Sequence, residues 1–191
     1  MRVEISLIRH GQSLFQEKEK ITNVQFIDWV KGYDEHGVVQ EKQYPKETID
    51  RIKQSNIIIT SDLIRSKESA TYLLPNGTFT SNSLFREVEL PVSKRKWMGM
   101  RLKPSVWLVI YRVLWVLGYS NECESYHEAK LRARKAAESL IELASKHERV
   151  SLVGHGIFNR LIAKELQAQG WEGMRKFSSK HWSCTTYRKV G

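Results

Sequence analysis

Arg9 and His10 stand side by side at the end of the apolar run Ile5-Ser6-Leu7-Ile8, with Gly11-Gln12-Ser13 directly behind them. Such a run reads as a buried strand, and open α/β sheets carry their chemistry at the carboxyl ends of strands. Gly11 lets the backbone turn sharply there and come close to a bound group. Val150-Ser151-Leu152-Val153 repeats the pattern and ends in Gly154-His155-Gly156. Between the two, Asn56-Ile57-Ile58-Ile59-Thr60 leads into Ser61-Asp62-Leu63-Ile64-Arg65. Ser61 reads as a helix N-cap. Arg65 would then fall near the end of the first turn, where a guanidinium and a helix N-terminus hold phosphate jointly. Arg9, His10, Arg65 and His155 would together form a cationic cup suited to a phosphoryl dianion.

Leu7 to Ser13, Ser61 to Ala70 and Val153 to Gly156, in this order and spacing, make the chain resemble the histidine phosphatase superfamily, the phosphoglycerate mutase-like fold, over roughly residues 3 to 165. The resemblance implies that His10 is the nucleophile and becomes a phosphohistidine. It also implies that Arg9, Arg65 and His155, with Ser13 and Gly156, hold the phosphoryl oxygens. The family's proton donor is a carboxylate between the second and third motifs. Glu87, in Phe85-Arg86-Glu87-Val88-Glu89, matches its place better than Glu89, although strand alternation puts both on one face.

General chemistry agrees with these roles. A neutral imidazole is a competent nucleophile near pH 7, and a covalent intermediate splits a hard displacement into two easier ones. Positioned arginines and a protonated histidine can offset the charge spread over the phosphoryl oxygens, so neither metal nor cofactor is required. An alkoxide leaving group needs a proton, which a neutral Glu87 would supply, and the resulting carboxylate could activate water. His36, His127, His147 and His181 lie in polar or helical contexts and read as incidental.

The 191 residues contain no repeat or linker and fit one domain with a sizeable core. Cys123 and Cys184 lack metal-ligand spacing and read as free thiols. The chain enters a strand at once with Glu4 inside it, so no ordinary signal peptide is expected, and the default location is cytoplasmic. Strands are expected at Val3–Ile8, Asn56–Thr60, Thr78–Thr80, Arg149–Val153 and Trp182–Arg188. Helices are expected within Glu17–Lys31, Pro45–Gln54, Leu63–Leu74, Pro104–Leu117, Glu124–Lys146 and Ile157–Gln169. This alternation predicts a three-layer α/β/α sandwich with a mostly parallel central sheet.

The stretch from Val106 to Leu117 is apolar almost all round, broken by Arg112. As a helix it would span about 18 Å against about 30 Å for a bilayer core, too short to cross. Lys94, Arg95, Lys96, Arg101 and Lys103 precede it, interleaved with Trp97, Met98 and Met100. A cap or insertion at about 92–121, with Trp107 and Trp115 covering an apolar leaving group, competes with a plain core helix or an oligomer contact. The net charge of +10 suits anionic substrates, and a basic segment followed by an apolar one also fits membrane-surface contact. Solvated surface is the simpler reading. No nucleic-acid-binding module is present, and the oligomeric state is not legible.

The close mutases of the family carry Glu after Arg-His-Gly and Asn four residues further along, where this chain has Gln12 and Gln16. Mutases also need extra elements to keep the phosphoryl group on histidine while the substrate reorients, and this chain is short for those. The expectation is therefore a metal-independent phosphatase acting on a phosphomonoester, small or larger. A mutase and a non-catalytic phospho-ligand-binding protein are the alternatives.

Overall fold

The computed structural model describes residues 2–94, 99–174, 178 and 180–190. Arg95, Lys96, Trp97 and Met98 of the basic run before α4 lie outside the described residues. The strands are β1 (Arg2–Arg9), β2 (Ile57–Thr60), β3 (Thr80–Ser81), β4 (Arg149–Gly154), β5 (Glu172–Gly173) and β6 (Cys184–Val190). The helices are α1 (Asn23–Glu35), α2 (Lys46–Lys53), α3 (Ile64–Leu73), α4 (Pro104–Val116), α5 (Tyr126–His147) and α6 (Gly156–Ala168).

The sheet order is β3-β2-β4-β1-β6-β5. β1, β2, β3 and β4 run parallel, and β6 is antiparallel to both its neighbours, so it alone runs against the rest. Strand alternation divides the core between two faces. Ile5, Leu7, Ile59, Val150 and Leu152 join one cluster with α5 and α6, while Ile8, Ile58 and Val153 join another with Ile52 of α2 and Ala70 and Leu73 of α3. Buried Ala129, Ala133, Ala136, Ala137 and Ala144 keep α5 close to the sheet. The three-layer α/β/α architecture is thus the observed one.

Helix boundaries follow capping chemistry more than apolar period. In α1, Thr22 accepts the Gln25 amide while the Gln25 side chain returns to the Thr22 amide, so the helix begins at Asn23 and runs on to Glu35, beyond the expected 17–31 span. Ser125 and Glu128 cap α5 in the same way. Ser61, expected from the sequence to be the N-cap of α3, does not take that position. Leu63 occupies that position, Arg65 is the second helical residue, and Ser61 Oγ accepts the Leu63 amide at 3.3 Å. The two-residue β5 has no signature in the sequence because it is only an edge pairing with β6.

A third cluster lies apart from the sheet, where α4 meets α1. Phe26, Trp29 and Tyr33 recur at helical spacing on α1 and face Trp107 and Tyr111 of α4. Their rings form a ladder: Tyr111 on Phe26 at 5.6 Å, Phe26 on Trp29 at 5.5 Å, Trp29 on Tyr33 at 5.2 Å. The ladder ends on Arg65, whose guanidinium carbon lies 4.3 Å from the Tyr33 ring centre.

Candidate active site

The carboxyl ends of β1, β2 and β4 meet beneath a cavity of about 770 Å³, and Arg9, His10, Arg65 and Glu87 line it. His10 is fixed by its backbone first: its amide donates to the Gly154 carbonyl at 2.9 Å, directly before His155. The Gly11 amide donates to Ser69 Oγ at 2.9 Å, and Ser69 in turn donates to the Arg65 carbonyl, tying the turn to α3. Gly11 leaves no room for a side chain unless Trp182 shifts, since a Cβ would lie 2.1 Å from its ring.

The imidazole of His10 has a defined tautomer. Its Nδ1 is 2.7 Å from the Gly11 carbonyl, which can only accept, so Nδ1 carries the proton and the lone pair belongs to Nε2. Burial, reinforced by His155 and Arg65, holds His10 well below the usual histidine pKa. It is therefore neutral at pH 7, with an available lone pair on Nε2.

The His155 ring centre is 5.1 Å from that of His10. Its Nε2 is 2.7 Å from Ser61 Oγ and 3.2 Å from Ser66 Oγ, while its buried Nδ1 has no protein partner among the described residues. Ser61 spends its proton on Ser66, so it accepts from Nε2–H and leaves the Nδ1 lone pair open. Burial and the nearby Arg65 and Arg9 hold His155 well below its ordinary pKa. A dianion beside it would reverse that balance and draw a proton onto Nδ1.

Arg65 is fully buried and donates to the Tyr33 carbonyl and to Asp34 Oδ1, the latter at 3.0 Å. Its Nε remains without a partner among the described residues. Arg9 lies against the start of α6, where a Cβ on Gly156 would come within 3.2 Å of Arg9 Nε.

Glu87 and Glu89 have different partners. Its carboxylate accepts the amides of Ile157 at 3.2 Å and Phe158 at 2.8 Å, at the N-terminus of the helix capped by His155. Glu89 lines the same cavity and accepts the Glu124 amide at 3.3 Å. Arg112 of α4 fastens this segment by donating to the carbonyls of Val88 and Glu89 at 3.3 and 3.2 Å.

Some expected residues stand elsewhere. Ser13 is buried and accepts the Phe15 amide at 3.1 Å, and like His155 and Gly156 it stands outside the residues that line the cavity. Trp107 and Trp115 do not cover the cavity either. Both are buried in the core, donating from Nε1 to the carbonyls of Ile21 and Glu124 at 2.8 Å each. The apolar wall consists of Trp29, Val30, Leu90, Leu108 and Val109 instead. An amphipathic helix buries its bulkiest aromatics, and the residues one position along reach the cavity.

Three contributors were not expected from the sequence. Tyr33 and Asp34 of α1 hold Arg65, and their only sequence signal is the aromatic spacing that ends at Tyr33. His181, read as incidental, has its ring 5.9 Å from that of His10, and burial together with Arg9 pushes it down to about 4. Cys123 lines the cavity, but burial pushes its thiol up to about 11, so it is no thiolate at neutral pH. Cys123 and Cys184 are unpaired thiols. Among the described residues no three His, Cys, Asp or Glu side chains converge as metal ligands.

Strand ends bearing Arg-His-Gly and Gly-His-Gly, with a helix-borne arginine between them, define a class. The family model described as histidine phosphatase superfamily, branch 1, matches residues 5–189, and the chain belongs to that superfamily. The fold is shared with a mycobacterial glucosyl-3-phosphoglycerate phosphatase, 15% identical with TM-score 0.61 over 98% of this chain and 91% of that one. It is shared equally with a phosphoglycerate mutase from Bacillus anthracis, 14% identical with TM-score 0.62 over 98% and 88%. A phosphoserine phosphatase from Entamoeba histolytica in complex with phosphoserine is 15% identical with TM-score 0.57 over 96% and 89%. Comparison with curated proteins returns no significant match.

Proposed function

We propose that the protein is a metal-independent phosphatase that hydrolyses phosphomonoesters through a phosphohistidine on His10. The observation that carries this reading is the bond from His10 Nδ1 to the Gly11 carbonyl, which leaves Nε2 as the nucleophilic nitrogen in a burial-neutralised ring. Nε2 attacks phosphorus, the ester P–O bond breaks, and the leaving oxygen takes a proton from Glu87. Water then attacks phosphohistidine, giving its proton back to Glu87 as the N–P bond breaks. Arg9, Arg65 and His155, protonated as the dianion arrives, hold the phosphoryl oxygens, and Gly156 keeps the start of α6 open to Arg9.

Glu87 is favoured over Glu89 because its carboxylate stands at the start of α6 next to His155, whereas Glu89 is engaged by the Glu124 amide. The segment around α4 acts as the cap, with Leu108 and Val109 against the leaving group. Water can reach the intermediate through the same open cavity, which favours hydrolysis over return of the phosphoryl group to an acceptor.

The test is rapid quench at alkaline pH after mixing with a ³²P-labelled phosphomonoester. Acid-labile, alkali-stable label on the wild type, absent from His10→Ala, supports the reading. Turnover without such label in either protein contradicts it, and label that passes to an acceptor alcohol in preference to water marks a mutase.

A further inference from the structure

The outer face of α4 has no cover among the described residues. Trp107, Tyr111 and Trp115 point inward, while Val106, Val109, Val113, Val116 and Leu117 stand in solvent, Val109 63% and Leu117 78% exposed. No acidic residue occurs between Lys103 and Gly118. At the amino end of the face, Arg101 and Lys103 are exposed, and the Ile21–Leu102 bridge places exposed Lys20 beside them. Lys94 is discounted, since it pairs with Glu122 at 3.0 Å. Tyr119, partly exposed, closes the other end.

No described helix is long and apolar enough to cross a membrane. An apolar strip with cations at its rim is suited instead to lying in the plane of an anionic bilayer, its apolar side chains below the headgroups and its cations on their phosphates. We propose that α4 docks the protein on an anionic lipid surface. Charge argues for this occupant over a second copy of the chain, because two molecules of net charge +10 repel each other and an anionic surface attracts either. Val109 belongs both to the bare face and to the cavity wall, so the docked surface borders the cavity mouth. The proposal rests on exposure and charge, independently of the catalytic reading.

Flotation with vesicles tests it. Wild type binds vesicles of mixed phosphatidylcholine and phosphatidylglycerol, and binds pure phosphatidylcholine about tenfold less. Raising salt from about 50 mM to about 500 mM weakens the anionic binding by a similar factor. The double variant Val113→Asp/Val116→Asp, on exposed positions and checked for folding by circular dichroism, loses it. Leu131→Asp, an exposed position on α5, keeps it. Equal binding by wild type and double variant, or no flotation of wild type, overturns the proposal. A concentration-dependent dimer abolished by the double variant, with vesicles ignored, assigns the face to a second copy instead.

Discussion

At the scale of single residues, the site keeps its histidines from taking up protons. His10, His155 and His181 are all held below the ordinary histidine value, chiefly by burial, His181 at about 4. The unfolded chain takes up protons on these groups below about pH 6.5, and the folded chain does not. Between 6.5 and the folded values the unfolded state binds more protons, so stability is whole above pH 6.5 and is lost as pH falls, through about 4 for His181. Thermal melts should therefore show a lower midpoint at pH 5 than at pH 7, with a flatter slope in His181→Asn. A pH-independent midpoint over that range contradicts the assignment. Phosphate binding near pH 7 should in turn take up a proton, read by calorimetry in buffers of different ionisation heat. Glu87→Gln removes the proposed proton donor and should lower kcat about 10²- to 10⁴-fold with phosphate still bound. Gly11→Ala forces a Cβ into the Trp182 ring and should cost about 1–3 kcal/mol in urea unfolding, with activity reduced because His10 moves with the turn.

At the scale of elements, the strands were the most legible part. Alternating runs such as Ile5-Ser6-Leu7-Ile8 encode the two faces of a covered sheet, and three strand ends carried their own chemistry in adjacent residues. Helix starts were less legible where the reading followed apolar period, because Thr22-Gln25 and Ser125-Glu128 set them by capping. The support for Arg65 was hidden, since it comes from Tyr33 and Asp34, about thirty positions away in sequence and brought near by the α1–α4 ladder. The same ladder explains why Trp107 became core, since it stacks on Tyr111 and lies beside Phe26, while Trp115 is buried in the sheet-side cluster edge-on to Tyr126 at 5.1 Å. Trp107→Ala should accordingly cost about 3–5 kcal/mol of stability. Leu108→Ala, on the cavity wall, should instead shift the ratio of kcat/KM between bulky and small phosphomonoesters. A change of preference in Trp107→Ala at unchanged stability would reverse the assignment of these two positions.

At the scale of the whole molecule, one sheet brings the proposed nucleophile His10 and the proposed phosphate ligands Arg9, Arg65 and His155 to its carboxyl edge, where residues of α1 and α4 line the same cavity as the proposed proton donor Glu87. The net charge of +10 over the whole chain should speed the arrival of anionic substrates in a salt-sensitive way. The measurement that bears most directly on this account is inorganic phosphate release from a panel of phosphomonoesters, with a metal chelator present, by the wild type and by His10→Ala. The account predicts chelator-resistant release that falls at least about 10³-fold in the variant. Release that the chelator abolishes, or that survives the loss of His10, would contradict it.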